Sequence, residues 1–136
     1  MQDRLATISE IFEWARGCFP QHTAAVQGAR SITYEQLDVS ANQLAHYLIS
    51  EGVGRAAIVG ILLERSIDQL ITLLAVCKTG AAYLPLGIEQ PAGRLAYILE
   101  DAAVQVVISR PELLTGVPAG PWRMMDLTEA RLEASD

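Results

Sequence analysis

Lysine is nearly absent from this sequence of 136 residues. Lys78 is the only one, and the other positive charges are nine arginines scattered singly along a chain with a formal net charge of −6. A nucleic-acid-binding surface needs a basic stripe that neutralises phosphates, and this chain has none. A phosphate loop of the G-x-x-x-x-G-K-[ST] kind needs a lysine after its glycines, so no such loop can lie downstream of Lys78. Nucleic acid is therefore excluded as an expected partner.

Long apolar runs are also missing. The longest unbroken apolar stretches include residues 56–59 and 73–77, far short of the roughly 18 residues that a membrane-spanning helix needs. Near the N-terminus, Asp3, Arg4 and Glu10 do not fit the apolar core of a secretory signal. These absences predict a cytoplasmic protein without a membrane partner.

Cysteine is scarce, and its spacing is uninformative. Cys18 and Cys77 are the two cysteines, and they do not form a C-x-x-C pair. In the cytoplasm both are expected to stay reduced. Cys77 falls within an apolar helical run, so we expect its side chain in the core.

Apolar residues are abundant, at 51% of the chain against 19% charged residues. The length fits one domain, residues 1–136, with no internal repeat or linker. Strand and helix patterns alternate, and the continuous apolar stretch at residues 57–63 is typical of a parallel strand covered on both faces. The predicted fold class is α/β with alternating strands and helices and a mostly parallel sheet. The first predicted elements are a helix from Ile8 that stops at Pro20, a hairpin of residues 24–26 and 31–33, and a helix from Thr33 that stops at Gly52. They are followed by a strand at 57–63, a helix from Ser66 that stops at Gly80, a strand at 82–84, a helix with Pro91 in its first turn and a strand at 104–108. The last are a turn-rich stretch at 111–121, a short strand at 123–125 and a helix at 128–134.

Two of the predicted helices begin with a recognisable cap. Thr33 with Gln36, and Ser66 with Gln69, each fit the S/T-x-x-E/Q capping box. The helix after Thr33 carries an apolar stripe predicted to face the core: Leu37, Ala41, Leu44, Ala45 and Leu48. The helix after Ser66 has almost no polar face, which predicts burial on more than one side.

Two stretches invite a nucleotide-binding interpretation. Residues 52–57, GVGRAA, fit G-x-G-x-x-A, but a dinucleotide-binding loop must leave a strand and open a helix, whereas this pattern leaves a helix and opens a strand. Lys78 falls at a predicted helix C-terminus, where a cation satisfies backbone carbonyls and the helix dipole. We interpret both as structural.

Other reactive side chains lack the spacing that chemistry requires. His22 in a turn and His46 on a predicted exposed helix face have no second histidine or cysteine at metal-ligand spacing, and we expect both to be solvated. Several carboxylates flank predicted helix ends: Glu64, Asp68, Glu100 and Asp101. Helix capping accounts for a carboxylate in such a position, so no catalytic role is needed to explain it. A serine hydrolase places its nucleophile in a G-x-S-x-G elbow. These serines lack that pattern: Ser31, Ser40, Ser66 and Ser109. The sequence therefore assigns no catalytic, cofactor-binding or metal-ligating residue.

Several short motifs nevertheless follow one another in a definite order. The first group comprises residues 32–37 (ITYEQL), 41–45 (ANQLA), 52–54 (GVG), 59–61 (VGI) and 64–66 (ERS). The second group comprises Lys78, Gly80, residues 82–86 (AYLPL), Pro91 and Arg94–Leu95.

Over residues 8–110 this order resembles the start of an adenylation domain of non-ribosomal peptide synthetases, within the adenylate-forming ligase superfamily. Gln36 stands where the family's first core motif usually has glutamate, and keeps the capping geometry. Gly87 and Ile88 stand where the family commonly has aspartate and proline, which removes a turn cap and a rigid residue. The resemblance implies that the chain is the partial N-terminal subdomain of such a ligase.

Complete members of this family activate an amino acid with ATP and magnesium, and pass the aminoacyl adenylate to a carrier-protein thiol. The resemblance places the phosphate loop, the ribose-binding aspartate and the catalytic lysine after residue 136, so we expect this chain alone to be inactive and to hold no cofactor. The resemblance also implies a condensation or carrier domain as partner. Without the remaining sheets, apolar surface would be uncovered, so self-association is expected as well.

Two other interpretations stay open. One is a fragment of an acyl-CoA or aryl-acid ligase, although ANQLA with AYLPL favours the peptide-synthetase branch. The other is a naturally truncated, non-catalytic interaction or scaffold module, for which Gly87–Ile88 and the short length are the evidence. A Ser/Thr/Gly-rich loop encoded soon after Asp136 would support a segment cut out of a longer synthetase, and a stop codon would support the scaffold module.

Overall fold

A computed structural model describes residues 8–134, and therefore leaves Asp3 and Arg4 outside the described residues. Six helices and six strands follow one another along this part of the chain, and all but the short helix α5 are predicted from the sequence. Their bounds are α1 Ile8–Cys18, β1 Thr23–Gln27, β2 Arg30–Thr33, α2 Tyr34–Ser50, β3 Ile58–Leu62, α3 Ile67–Thr79, β4 Ala82–Leu86, α4 Ala92–Asp101, β5 Val106–Ser109, α5 Pro111–Leu114, β6 Arg123–Asp126 and α6 Leu127–Ala134.

Four strands form a parallel sheet in the order β4-β3-β5-β6. The predicted α/β fold with a parallel sheet is confirmed. The hairpin β1–β2 is a separate antiparallel pair. Pro85 lies in β4, where its missing N–H is tolerated because β4 has one sheet neighbour in the described chain.

The direction of the crossovers explains why helices cover both faces of the sheet. The chain steps from β3 to β4 through α3, and then returns across β3 to β5 through α4. The right-handed rule for such crossovers places the helices of two oppositely directed crossovers on opposite faces of the sheet. The packing agrees: α3 belongs to one buried cluster and α4 to the other.

Side chains along the central strands alternate between these two clusters. In β3, Val59 and Ile61 pack on the α2–α3 side, while Leu62 packs with α4. In β5, Ile108 belongs to the first cluster and Val107 to the second. The unbroken apolar strands therefore reflect burial on both faces, as predicted.

The cap at α2 forms as the sequence predicts, and its apolar stripe is buried. The Gln36 N–H donates to Thr33 Oγ1, and the Thr33 N–H donates to Gln36 Oε1. Gly52 follows α2 with φ +93°, and Gly80 ends α3 with φ +88°, so both occupy the left-handed conformation that favours glycine.

The box predicted at α3 is only half formed. The Gln69 N–H donates to Ser66 Oγ, but the Gln69 side chain donates to the Leu63 carbonyl instead of returning to the cap residue. The side-chain amide thereby satisfies a carbonyl just beyond β3. Buried residues along most of α3 confirm that it packs on more than one side, although Cys77 is only half-buried, against our expectation.

Other differences concern element ends. Pro91 is the N-cap of α4 rather than part of its first turn. Strand β4 runs two residues past its predicted end, and the turn-rich stretch contains the short helix α5. A proline at the first position of α5 starts that turn, since its fixed φ suits a helix start.

Candidate functional site

The only lysine lies in the last turn of α3, where three helices meet. Lys78 Nζ donates to Asp38 Oδ1 of α2 at 3.0 Å and to Glu13 Oε1 of α1 at 3.2 Å. It also lies 5.8 Å from the centroid of the Phe12 ring, within cation–π range. The side chain is only 18% exposed. Its amine therefore meets carboxylates rather than the helix-end carbonyls that we expected, and its role in the structure is to join helices.

A second cation completes this cluster. Arg16 Nη2 lies 3.3 Å from Glu13 Oε2, and Arg16 Nε lies 3.4 Å from Asp38 Oδ2. Burial raises the pKa of Glu13, but the hydrogen bond and charge of Lys78 and the charge of Arg16 outweigh it, so this pKa is lowered overall. Two positive and two negative side chains balance one another here. We call Glu13, Arg16, Asp38 and Lys78 the clasp.

Sequence analysis missed the partners of Lys78. Glu13 and Asp38 lie 65 and 40 residues away from it in the chain. The sequence offers one signal for Glu13 and Asp38: each lies next to a buried residue of its own helix, at the edge of that helix's apolar stripe. Helical periodicity finds such edges, but it does not say which edges face each other.

The glycine pattern at residues 52–57 connects α2 to β3. Gly52 continues the end of α2, and the Val53 N–H donates to the Leu48 carbonyl. A helix therefore precedes the pattern and a strand follows it, which confirms that it is not placed as a dinucleotide-binding loop.

The neighbouring carboxyl ends of β3 and β5 are where open α/β sheets commonly bind ligands, because the following connections diverge there. In this chain, polar groups at the two strand ends contact one another. Ser109 Oγ donates to the Leu62 carbonyl, and Arg110 Nη2 donates to Glu64 Oε2 at 2.5 Å. These bonds hold the two loops together.

The two capped helix starts do not fit the phosphates of ATP. At α3 the Ile67 N–H donates to Gln27 Oε1, and the Gln69 N–H donates to Ser66 Oγ. Asp68 adds a negative charge to this first turn. At α2 the first backbone N–H groups are likewise bonded to carbonyls and to the cap. A phosphate bound at either helix start would have to displace these partners.

The remaining candidates occupy structural positions. His22 stacks on Phe19 with ring centroids 5.0 Å apart, and His46 is exposed on α2, so both are at the surface as predicted. Asp68 accepts from Arg30 and Arg131, and thus links the hairpin, α3 and α6. Within residues 8–134, no group of three or more histidine, cysteine or acidic side chains is placed to hold a metal ion.

The remaining carboxylates and serines are scattered rather than convergent. Glu100 and Asp101 are exposed in the last turn of α4. Ser31 is exposed on β2, and Ser40 is half-buried on α2. The assignment of no catalytic or cofactor-binding residue stays a prediction.

The departure at residues 87–88 lies in a short turn after β4. The Gln90 N–H donates to the Gly87 carbonyl at 3.2 Å, which closes the turn without the aspartate and proline common in the resembled family. Ile88 is 44% exposed. The loop is therefore closed by a backbone hydrogen bond in place of a side-chain cap.

The fold and the site together define a structural class of protein. It is a parallel α/β layer with helices on both faces, and its polar clusters link helices and strand ends to one another. The chain belongs to the AMP-binding enzyme family, which it matches over residues 12–130. It corresponds to the N-terminal portion of a non-ribosomal peptide synthetase adenylation domain.

Similar proteins support this assignment. The chain is 44% identical to tyrocidine synthase 3 of Brevibacillus parabrevis over 114 residues, covering 84% of this chain and 2% of that protein. It is 41% identical to gramicidin S synthase 1 of Brevibacillus brevis over 108 residues, covering 79% of this chain and 10% of that protein. The chain thus spans only 1% to 10% of the length of such curated relatives.

Solved structures show the same architecture. The N-terminal subdomain of Klebsiella oxytoca NpsA superimposes with a TM-score of 0.89 at 28% identity, covering 96% of this chain and 33% of that one. An artificially fused adenylation–PCP di-domain, NpsA-ThdA, gives a TM-score of 0.91 at 28% identity, covering 97% and 25%. The layer described here is therefore about a third of the solved subdomain.

Proposed function

We propose that this chain supplies the opening structural layer of a domain that activates an amino acid with ATP and transfers the aminoacyl adenylate to a carrier-protein thiol. The observation that carries this proposal is the family match over residues 12–130, which spans the whole parallel sheet. Peptide synthases among the curated relatives favour an amino acid over the acyl-CoA and aryl-acid alternatives.

The part played by this layer is mechanical. It contributes a sheet covered on both faces, and its charged groups pair with one another at the clasp and at Glu64–Arg110. Binding and polarising the triphosphate, with ATP and magnesium, are functions that we assign to the rest of the domain. The chain alone is accordingly expected to be inactive.

The proposed partners follow from the same assignment. The adenylation–PCP fusion among the similar structures supports an adjacent carrier domain as the partner, and a preceding condensation domain is the second. None of the helices within residues 8–134 is long and apolar enough to cross a membrane. A cytoplasmic location is part of the proposal.

Self-association of the isolated chain also stays a prediction. Both sheet faces are covered by helices, but large apolar side chains are exposed on α1 and α4: Ile11, Trp14 and Tyr97. Light scattering after size-exclusion chromatography should show a mass above that of the monomer at high concentration. A clean monomer there would contradict this part of the proposal.

A segment exchange tests the function directly. Residues 12–130 would replace the matching segment of gramicidin S synthase 1, and amino-acid-dependent ATP–pyrophosphate exchange would be measured. We expect the chimaera to stay active with the amino-acid preference of its host, because the exchanged layer supplies support and no selectivity. A matched chimaera carrying Leu48→Asp should lose activity, since it places a charge in the core.

The scaffold-module alternative makes a different prediction for the same exchange. Gly87–Ile88 is the observation that favours it. If the native segment gives a folded but inactive chimaera, and Gly87→Asp with Ile88→Pro restores exchange, then this layer has lost its compatibility with catalysis. If the chimaera with the native segment is as active as the chimaera with Gly87→Asp and Ile88→Pro, the scaffold-module alternative is ruled out.

A further inference from the structure

Helix α1 depends on docking for its stability. It has only 11 residues, and isolated helices shorter than about 12 residues are marginal in water. It packs against α2 and α3, to which it presents the buried side chains Phe12 and Ala15. Ile11 and Trp14, by contrast, are more than half exposed. The apolar contact that holds this helix is therefore narrow.

The packing beneath α1 is also incomplete. An open apolar groove of about 260 Å³ lies between α1 and the body of the protein. It is lined by Ile11, Phe12, Ala15, Ala24, Tyr34, Leu70 and Leu74. Because the groove is open to solvent, its apolar walls stay in contact with water, so this interface removes less apolar surface from water than a closed one would.

Charge supplies the remainder of the attachment. Within the clasp, Glu13 and Arg16 belong to α1, Asp38 to α2 and Lys78 to α3. Each contact between α1 and the body in this cluster is an ion pair with at least one partly exposed partner. Such pairs weaken with added salt.

The chain that follows α1 is fixed at its far end. The Tyr34 N–H donates to the His22 carbonyl, and the Glu35 N–H donates to the Pro20 carbonyl. These backbone bonds tie residues 20–22 to the start of α2. The C-terminal end of α1 is therefore followed by a segment that is held to α2 by backbone hydrogen bonds.

We propose that α1 is a clasped strap: it detaches from α2 and α3 as a unit while the sheet and other helices stay folded, and the Lys78 pairs control how often this happens. Detachment uncovers the apolar face formed by Tyr34, Leu70 and Leu74. This inference does not rest on the proposed function.

Amide hydrogen exchange at low salt tests the strap on the intact chain. Amides of residues 12–18 should exchange at least about 100-fold faster, relative to their unstructured rates, than amides around Leu44 in α2, because local opening costs less than global unfolding. Lys78→Met keeps the aliphatic stem but removes the charge. It should speed exchange in α1 by about 3- to 10-fold while leaving α2 unchanged.

Arg123→Met is the matched control, because it breaks an ion pair with Glu51 at the opposite end of α2. It should leave exchange in α1 unchanged. Should Lys78→Met fail to fold, Glu13→Gln removes one arm of the clasp from a side chain that is 46% exposed. Salt at about 1 M should speed exchange in α1 of the unmodified chain, and should have a smaller effect on the variant, which within the clasp keeps only the Arg16–Asp38 pair between α1 and the body. Equal protection of α1 and α2, or acceleration of both by the same factor, would overturn the proposal.

Discussion

Helix α3 has two dissimilar sides. Toward α2 and the sheet it presents the fully buried Ile71 and Ala75, against an apolar stripe on α2 that is also buried. Toward α1 it presents the Lys78 amine and the rim of an open groove. One side is held by complementary shape, and the other by a narrow apolar contact around Phe12 together with ion pairs. The same helix therefore anchors a rigid layer and a more weakly attached element.

The largest loss of stability is expected in the core between α2 and α3, where apolar packing holds the helices together. Leu44→Ala on α2 removes a fully buried side chain, so the free energy of unfolding should fall by about 2–5 kcal/mol. Chemical denaturation followed by circular dichroism measures this change. Gln43→Ala, at the adjacent exposed position, should stay within about 0.5 kcal/mol of the unmodified chain. Equal losses for the two variants would remove the distinction between the sides.

Adding volume to the core probes the same property on the opposite face of the sheet. A Cβ at Gly60 would lie 3.0 Å from Leu86 Cδ1 and 3.5 Å from Val104 Cγ1. Gly60→Val should therefore cost about 1–3 kcal/mol through overpacking. Gly93→Ala on α4, where a Cβ meets nothing within 4 Å, should instead stabilise by about 0.5–1 kcal/mol. A neutral Gly60→Val would show that this core tolerates extra volume.

A cap should have an intermediate effect. Thr33→Ala removes the hydroxyl that accepts from the Gln36 N–H at the start of α2. The expected loss is about 1 kcal/mol in thermal or chemical unfolding. Ser31→Ala, an exposed hydroxyl on β2, serves as control. If both substitutions cost the same, the hydrogen bond at Thr33 contributes nothing specific.

The smallest effect is expected at the clasp, and it depends on pH. Because the pKa of Glu13 is lowered from 4.5 in the folded chain, its pairing stabilises fully above that value and is lost as pH falls through the lowered pKa. The groups facing Glu13 are Lys78, Arg16 and Asp38. Exchange rates in α1 for the unmodified chain and Glu13→Gln should differ near neutral pH and converge in acid. A difference independent of pH would contradict the ionic attachment.

Much of the fold could be predicted from residue patterns because local chemistry and packing agree. The stripe from Leu37 to Leu48, the Thr33 cap and the glycine at position 80 each specify one outcome. The Ser66 box failed because a backbone carbonyl from another segment offered Gln69 an alternative partner. Periodicity near one element does not reveal such a competitor.

The site was harder to predict for the same reason. The clasp and the Glu64–Arg110 pair join residues that are distant in sequence. Their pairing depends on how α1 lies across α2 and α3 and on which strands become neighbours. The motifs around Lys78 indicated the family, whereas its contacts required the folded arrangement.

We propose that this chain is a supporting layer and that the chemistry is supplied elsewhere in the adenylation domain. The most direct test is ATP–pyrophosphate exchange with the purified 136-residue chain, magnesium and each of the common amino acids in turn. We expect a signal at background for every amino acid, while a gramicidin S synthase 1 positive control exchanges normally. Exchange that depends on an amino acid and is catalysed by this chain alone would contradict it.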